Sequence, residues 1–533
     1  YGSNRDLVNI TLIDNIRDRN YGIIPQLADI AEINNVETIN VTLVNDTDDN
    51  IKLSEGDKVA EACSICRNVD ETTILKSSEK RIKLRTELKL PPLDFKQFKV
   101  GNVSQSQRDK IMNMVKKYQA IWSRNDLDVG QYCGTHQYKI DLTTDRYQER
   151  KYVPVPQQHR DMLEEHIQKL EASGLVERIP YTDNVTMSFI IVKKSDGTWR
   201  VACDQRSINN VTISNKNYTI PRIDELLQKL SGHKYYTMLD LTSSYHQIPI
   251  DKTQKNLYTF LSPDLKRAYR YAVVPFGSKL ISNIFQSILN GEILQDTKAL
   301  CYIDDISIAS NNFEEHIKDV EEVFGQLQKF NLTLKIKKCR IGYSDCHAFG
   351  YLIDKTGYRP IPERIEALKN IKPPETKRQL RGAIAKMAYF RNHIKNFSEK
   401  ASDLYKLSGD AVKYKLTPEI KKQWEELISC LSHTIIMNKP RFNNSFILTS
   451  DSSEKAIAAV LSEMQDNEER IICADSQVLA ESQRRWVIAH KEMLAIYTFL
   501  KKFEKYLLFQ KFLIRTDSVA VAYALKNIPK QKI

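Results

Sequence analysis

No apolar run in this 533-residue chain approaches the length of a membrane-spanning helix, and no basic-then-apolar leader opens it. Neither a bilayer-embedded protein nor a membrane partner is expected. Cysteine is sparse, nine residues spread widely, which fits a reducing compartment and excludes a disulfide framework. Cys63-Ser64-Ile65-Cys66 has zinc-like spacing, but the nearest second half, Cys133-Gly134-Thr135-His136, lies far downstream. Buried or incidental thiols account for these residues better. What the chain does have is an excess of positive charge, 79 Lys plus Arg against 67 acids, net +12. That sign suits a polyanionic partner met through phosphate contacts. Hydrophobic content of 41% and charged content of 27% are ordinary for globular protein, and the length requires several cores.

The most informative stretch is Tyr302-Ile303-Asp304-Asp305, set between Ala299-Leu300-Cys301 and Ile306-Ser307-Ile308. Two adjacent carboxylates between apolar, strand-forming residues predict strand, tight turn, strand, with the acids at the turn. Adjacent like charges repel, so a fold that gathers them usually supplies a cation, and two-metal phosphoryl transfer is the chemistry that most needs such a cluster. Taken alone, the tetrapeptide is equally well read as a solvated Asp-Asp turn.

The rest of the chain is patterned in blocks. Residues 1–85 look β-rich: Ile39 to Val44 alternates, Ile51-Lys52-Leu53 resumes after a turn, and Lys58-Val59-Ala60 follows a second turn. A polar, helical connector fills 86–150. Pro154 and Pro156 precede an amphipathic helix with Met162, Leu163, Ile167 and Leu170 on one face and Gly174 as its stop. Phe189 to Val192 and Trp199 to Ala202 flank Lys193-Lys194-Ser195-Asp196-Gly197, a hairpin whose basic tip suits triphosphate capture. Tyr236 to Leu241 is a strand carrying Asp240. Pro275-Phe276-Gly277 opens a helical segment ending in Phe285-Gln286. A helix is predicted from Glu314 to Phe330, and a hairpin over Ala348 to Ile353. Thr376-Lys377-Arg378-Gln379 is a capping box opening a helix to about Ile394, with Leu380, Ile384 and Met387 as its buried stripe and a basic exposed surface. Near the C-terminus, Phe446 to Asp451 and Phe512 to Asp517 are strands ending in acids. Ala456 to Leu461 is another strand, and His490 to Phe503 is a helix with Glu492 near its start. Three acids so placed again suggest metal binding.

These residues resemble the reverse transcriptase–ribonuclease H segment of LTR retrotransposon Pol polyproteins, most of all the gypsy type. The resemblance runs from Trp122-Ser123-Arg124-Asn125-Asp126-Leu127-Asp128 to the end. It implies an α/β and α+β multidomain fold: fingers and palm over 151–355, thumb and connection over 356–435, and a partial ribonuclease H-like domain over 436–533. Residues 1–85 would be the small β-rich region downstream of a protease-like segment. It implies that Asp240, Asp304 and Asp305 bind two Mg²⁺ ions, with Mn²⁺ as a substitute, Asp305 being the more peripheral acid. Tyr245 would be the aromatic gate against a ribose 2′-hydroxyl. Lys193 or Lys194, with Arg200, would hold the triphosphate, and Gly277 and Gln286 would shape the template–nucleotide pocket. Phe349-Gly350-Tyr351 would be the primer grip. Asp451, Glu492 and Asp517 would be three of the four ribonuclease H acids, again with two metals. The implied activity is RNA- and DNA-directed DNA synthesis, with RNA cut from RNA–DNA hybrids. The implied partners are RNA template, DNA primer, hybrid and dNTPs, with a homodimer on substrate as a further expectation and virus-like particles in the cytoplasm as the setting.

The chain departs from the family pattern at several positions. Ser188 and Ser282 stand where Pro is usual, Gln205 stands where Tyr or Phe is usual, and Ala383-Ile384-Ala385 replaces Phe-Leu-Gly. Only sixteen residues follow Asp517, short of the fourth acid, so residues 1–533 alone are expected to cut hybrids weakly or not at all. The competing reading is a domesticated binding protein that keeps the fold without the chemistry. Retention of Asp240, Asp304, Asp305 and Tyr245 argues against it, since without catalysis the acids are only a repulsive cluster. An RNA-dependent RNA polymerase is disfavoured by the bulk of Tyr245.

Overall fold

The computed structural model describes residues 85–527 with short breaks at 88, 145–154, 183–184, 194–198, 215–219, 396, 411–412 and 433, and six short strands before residue 84. The chain divides into two compact units, Tyr1–Lys83 and Leu84–Ile533. In the first, Leu7–Asn9 pairs with Leu27–Asp29, Gly22–Ile23 with Leu43–Val44, and Ala31–Ile33 with Val36–Thr38, all antiparallel. Of the strands expected there, Leu43–Val44 is seen, while 39–42, 51–53 and 58–60 lie outside the described residues, as do Cys63 and Cys66.

The second unit is built round a five-stranded sheet. Its members are β1 (Lys99–Val100), β4 (Tyr235–Asp240), β5 (Leu300–Tyr302), β6 (Asp305–Ser310) and β7 (Arg340–Tyr343), in the order β5-β6-β4-β7-β1. Ahead of it, α1 (Gln157–Ala172) buries Leu163, Ile167 and Leu170 and ends at Gly174, whose φ of +71° suits glycine. The hairpin β2 (Ser188–Lys193) and β3 (Trp199–Asp204) runs in register from Ser188 opposite Asp204 to Lys193 opposite Trp199. Helix α2 (Ile281–Ile288) buries Ile281, Ile284, Phe285 and Ile288, and α3 (Phe313–Lys329) is capped by Asn312, whose side chain accepts from the Glu314 N–H. Val320, Val323, Phe324 and Leu327 form the α3 stripe under the sheet, the 3.6-residue period the sequence shows.

A second core joins a three-stranded meander to a helical segment. The meander is β8 (Asp345–Ala348), β9 (Tyr351–Asp354) and β10 (Gly357–Pro360); the helices are α4 (Lys377–Ala388), α5 (Phe397–Ser408) and α6 (Pro418–Cys430). The Thr376–Gln379 capping box forms as the sequence predicts. Helix α4 stops at Ala388, short of the expected Ile394, because the chain turns into a 3₁₀ segment, Arg391–His393, while the Tyr389 carbonyl accepts from the Tyr351 hydroxyl.

The last core belongs to a four-stranded sheet, β13-β12-β11-β14, of β11 (Phe446–Ser452), β12 (Ala456–Gln465), β13 (Glu468–Val478) and β14 (Phe512–Arg515). Helix α7 (Ile488–Lys502) packs on β11 and β12 through Ala495 and Phe499, and α8 (Val519–Lys526) follows β14. Strand β12 is longer than expected and β13 was not expected at all. Asp466 and Asn467, both left-handed at φ +53° and +65°, make the two-residue turn that joins them.

Candidate active sites

Asp240 ends β4 and Asp305 begins β6, and the antiparallel register sets them directly opposite each other. Residues opposite in a ladder project from the same face. Asp304 precedes Asp305 in the turn from β5, where Ile303 is left-handed at φ +57°. A β-branched residue rarely adopts that conformation, so something must hold it. The buried Gln286 of α2 does so: its Oε1 accepts from the Ile303 N–H at 2.6 Å, and its Nε2 donates to the Cys301 carbonyl at 3.1 Å. Gln286, expected in the segment that shapes the template–nucleotide pocket, is buried and braces the acids from behind. Asp305, expected to be the more peripheral of the metal-binding acids, is the residue in register with Asp240 on the neighbouring strand.

Crowding shows in the electrostatics. Burial raises the Asp304 pKa; Ser244 and Lys338 oppose the rise, and Asp240 adds to it. Burial, then Asp240, then Asp304 push Asp305 up to about 6. Among the described residues no three His, Cys, Asp or Glu side chains are gathered as a ready metal cage. Instead Lys338 Nζ sits 2.9 Å from Asp240 Oδ2, a cation already within the cluster. Burial lowers the Lys338 pKa, but the hydrogen bond and charge of Asp240, with Asp305 and Asp304 behind it, leave it raised. The set fits a divalent ion nonetheless: Asp304 Oδ1 is buried with no hydrogen-bond partner, and the donors are hard oxygens.

Tyr245 follows on the 3₁₀ turn Ser244–Gln247. Its ring lies 5.3 Å from Phe276 and 6.0 Å, edge on, from Phe285, and its hydroxyl is 2.8 Å from Ser282 Oγ. Gly277 has φ +104°, which a side chain would strain. Gln205, in place of an aromatic, locks that loop: Nε2 donates to the Phe276 carbonyl at 2.8 Å and Oε1 accepts from Ser278 Oγ at 2.6 Å. Lys194, and the side chains of Lys193 and Arg200, lie outside the described residues.

The Phe349-Gly350 turn joins β8 to β9, with φ +54° and +87°. The φ of +87° at Gly350 lies in the left-handed region, where any side chain would be strained. The Tyr389 hydroxyl donates to the Phe349 carbonyl at 2.6 Å, and Tyr302, beside the acids, meets the Phe349 ring edge on at 5.0 Å. Tyr351 is buried against Phe390 and His393, so it anchors the turn and is not a surface contact.

In the last sheet, β11 and β14 run parallel, with Thr449 opposite Arg515. Asp451 and Asp517 each lie two residues beyond that pair. Glu492 is buried near the N-terminal end of α7, one turn in, with Oε2 unpartnered. Its pKa is raised, by burial first and by Asp517 and Asp451, while Ser452 opposes the rise. The three acids thus share one end of the sheet. Cys133 and His136 form no zinc half-site: Cys133 Sγ donates to the Lys329 carbonyl, and His136 Nδ1 lies 2.8 Å from Glu292 Oε2.

Sequence reasoning missed Lys338 and Ser244, and it marked Gln205 only as a departure from the family pattern, without its role in the loop. The run Lys337-Lys338-Cys339 before a strand was the one available signal for Lys338.

Comparison with known proteins defines the class. Residues 191–357 match the family described as reverse transcriptase (RNA-dependent DNA polymerase), and residues 416–514 match the RNase H-like domain found in reverse transcriptase. The chain carries a reverse transcriptase domain followed by an RNase H-like domain. Its relatives are retrotransposon Pol polyproteins. It is 27% identical over 434 residues to the retrovirus-related Pol polyprotein from transposon 297 of Drosophila melanogaster, covering 80% of this chain and 40% of that protein. It is 29% identical over 389 residues to the transposon Tf2-7 polyprotein of Schizosaccharomyces pombe, covering 72% of this chain and 29% of that protein. The chain thus spans well under half the length of these relatives. Its fold is that of foamy viral protease-reverse transcriptase. The structure of that protein with dsDNA aligns at TM-score 0.70 and 20% identity, covering 81% of this chain and 90% of that one. The structure with RNA/DNA hybrid aligns at 0.68 and 19%, covering 80% and 57%.

Proposed function

We propose that the chain is the polymerase and ribonuclease H segment of a gypsy-type retroelement polyprotein, extending a DNA primer on RNA or DNA templates with dNTPs. The observation that carries this reading is the opposition of Asp240 and Asp305 across the β4–β6 ladder, with Asp304 held in the adjoining turn. Asp240, Asp304 and Asp305 would hold two Mg²⁺ ions, with Mn²⁺ able to replace them. When bound, these supply Lewis-acid activation of the primer 3′-hydroxyl and neutralise triphosphate charge.

The protein's own work is positioning. Gln286 fixes the turn that carries the acids, and Tyr245 walls the sugar side against a 2′-hydroxyl. Gln205 and Gly277 shape the loop beside Tyr245. Lys193 or Lys194, with Arg200, would draw in the triphosphate. Phe349 and Gly350, tied back by Tyr389, would steady the primer end, and the basic face of α4 would follow the duplex backbone, a contact blind to sequence. Asp451, Glu492 and Asp517 would hold metal for hydrolysis of RNA in a hybrid, recognised by its shape and 2′-hydroxyls. Virus-like particles in the cytoplasm, and pairing of two copies on substrate, belong to the same reading.

The test is primer extension on matched RNA and DNA templates. Extension with dNTPs on both templates, absent with NTPs and absent with EDTA, is expected. Extension by NTPs at equal rate, or none on RNA, would refute the reading.

A further inference from the structure

Ser282 occupies a position where the chain departs from its family, and its hydroxyl has a specific partner. Ser282 Oγ lies 2.8 Å from the Tyr245 hydroxyl. Phe276, tilted at 5.3 Å, and Phe285, edge on at 6.0 Å, locate the Tyr245 ring, and the bond at the ring's tip adds a directional restraint. Ser282 and Gln286 are four residues apart on α2 and so share one helix face. Gln286 clamps the turn that carries Asp304, and Ser282 clamps Tyr245. One rigid helix therefore sets the distance between the wall on the sugar side and the acids.

We propose that Ser282 is a specificity-determining positioning residue, holding Tyr245 at the height that excludes a ribose 2′-hydroxyl. The inference rests on the reading of Tyr245 as the sugar gate. Ser282 touches no substrate; it acts through the tyrosine. Without the bond the ring retains its bulk but tilts away under pressure from a 2′-hydroxyl, so discrimination weakens without being abolished.

The experiment is steady-state incorporation of a single CTP or dCTP opposite a template G. Wild type is compared with Ser282→Ala, Ser282→Thr, Tyr245→Phe, the double variant Ser282→Ala/Tyr245→Phe, and Tyr245→Ala. The readout is the ratio of kcat/KM for CTP to that for dCTP, which a general loss of folding leaves unmoved. Losing one hydrogen bond corresponds to a rise of about fivefold in this ratio for Ser282→Ala. Ser282→Thr, which keeps the hydroxyl, restores the wild-type ratio. Tyr245→Phe gives the same rise as Ser282→Ala, and the double variant shows no more than either, the signature of one shared bond. A wild-type ratio in Ser282→Ala, failure of Ser282→Thr to restore it, or additive effects in the double variant would overturn the inference. Tyr245→Ala separates this from failure of the parent reading. If it admits CTP while Ser282→Ala does not, Tyr245 is the gate and Ser282 is not its support. If Tyr245→Ala leaves the ratio unchanged, the gate itself is refuted, and the Ser282 inference with it.

Discussion

Lys338 Nζ rests 2.9 Å from Asp240 Oδ2, so the carboxylate cluster of the free protein carries a built-in counter-charge. A divalent ion binding to Asp240 must share or displace that ammonium. The pair is partly exposed, the lysine side chain at 58%, so its worth to stability is small, about 0.5–1 kcal/mol. Lys338→Met is expected to lower the melting temperature slightly without metal and to enlarge the rise produced by Mg²⁺. Differential scanning fluorimetry with EDTA and with excess Mg²⁺ measures both; an unchanged Mg²⁺ shift would contradict the displacement.

Gln286 satisfies two backbone groups of the catalytic turn at once, the Ile303 N–H and the Cys301 carbonyl. Removing a buried partner leaves those groups desolvated and unpaired, each at a cost of about 1–3 kcal/mol. Gln286→Ala is expected to destabilise the protein by about 2 kcal/mol or more and to cut polymerase kcat more than it raises KM for dNTP. Urea denaturation and steady-state kinetics check the two halves. A raised KM with full kcat would return Gln286 to the pocket wall.

His316 is buried between Thr237 Oγ1, 2.8 Å from Nε2, and Ser310 Oγ, 3.1 Å from Nδ1. Burial lowers its pKa from 6.5 to about 4; Asp319 and Glu315 pull it back up, and His233 lowers it further. The native ring stays neutral where the unfolded ring takes a proton. Stability from this group is thus complete above the unfolded value of 6.5 and is lost as pH falls from there towards 4. The loss is up to about 3 kcal/mol. Unfolding free energies at pH 7.5 and pH 5 should differ by less in His316→Gln than in wild type. An identical slope in the two proteins would show that the histidine does not report this window.

The Tyr389 hydroxyl ties α4 to the Phe349 carbonyl at 2.6 Å. Tyr389→Phe cuts that tie and leaves the ring packing in place, at a cost of about 1 kcal/mol. The expected result is a primer–template KM raised about fivefold, with dNTP KM little changed. Equal effects on both would place Tyr389 outside the primer end.

Local physics made much of this legible. The Asp304-Asp305 turn, the Thr376–Gln379 cap and the apolar stripes of α1 and α3 follow from spacing and propensity within a few residues. The opposition of Asp240 to Asp305 depends on strand register, and the approach of Lys338 depends on where β7 joins the sheet. Neither is written in a local pattern. The resemblance places Gln286 in the segment that shapes the nucleotide pocket, but its bonds to the strained turn at Ile303 are a tertiary fact that no local pattern carries. Strand β13 was missed because Glu468-Glu469-Arg470 reads as loop until the Asp466-Asn467 turn pairs it with β12.

The most direct test of the central claim is Asp304→Asn assayed for dNTP incorporation on poly(rA)/oligo(dT) and, in parallel, for binding to the same duplex by fluorescence anisotropy. The substitution keeps size and removes charge. The account predicts incorporation reduced at least about a thousandfold with duplex affinity within about twofold of wild type. Synthesis at the wild-type rate by Asp304→Asn would contradict it.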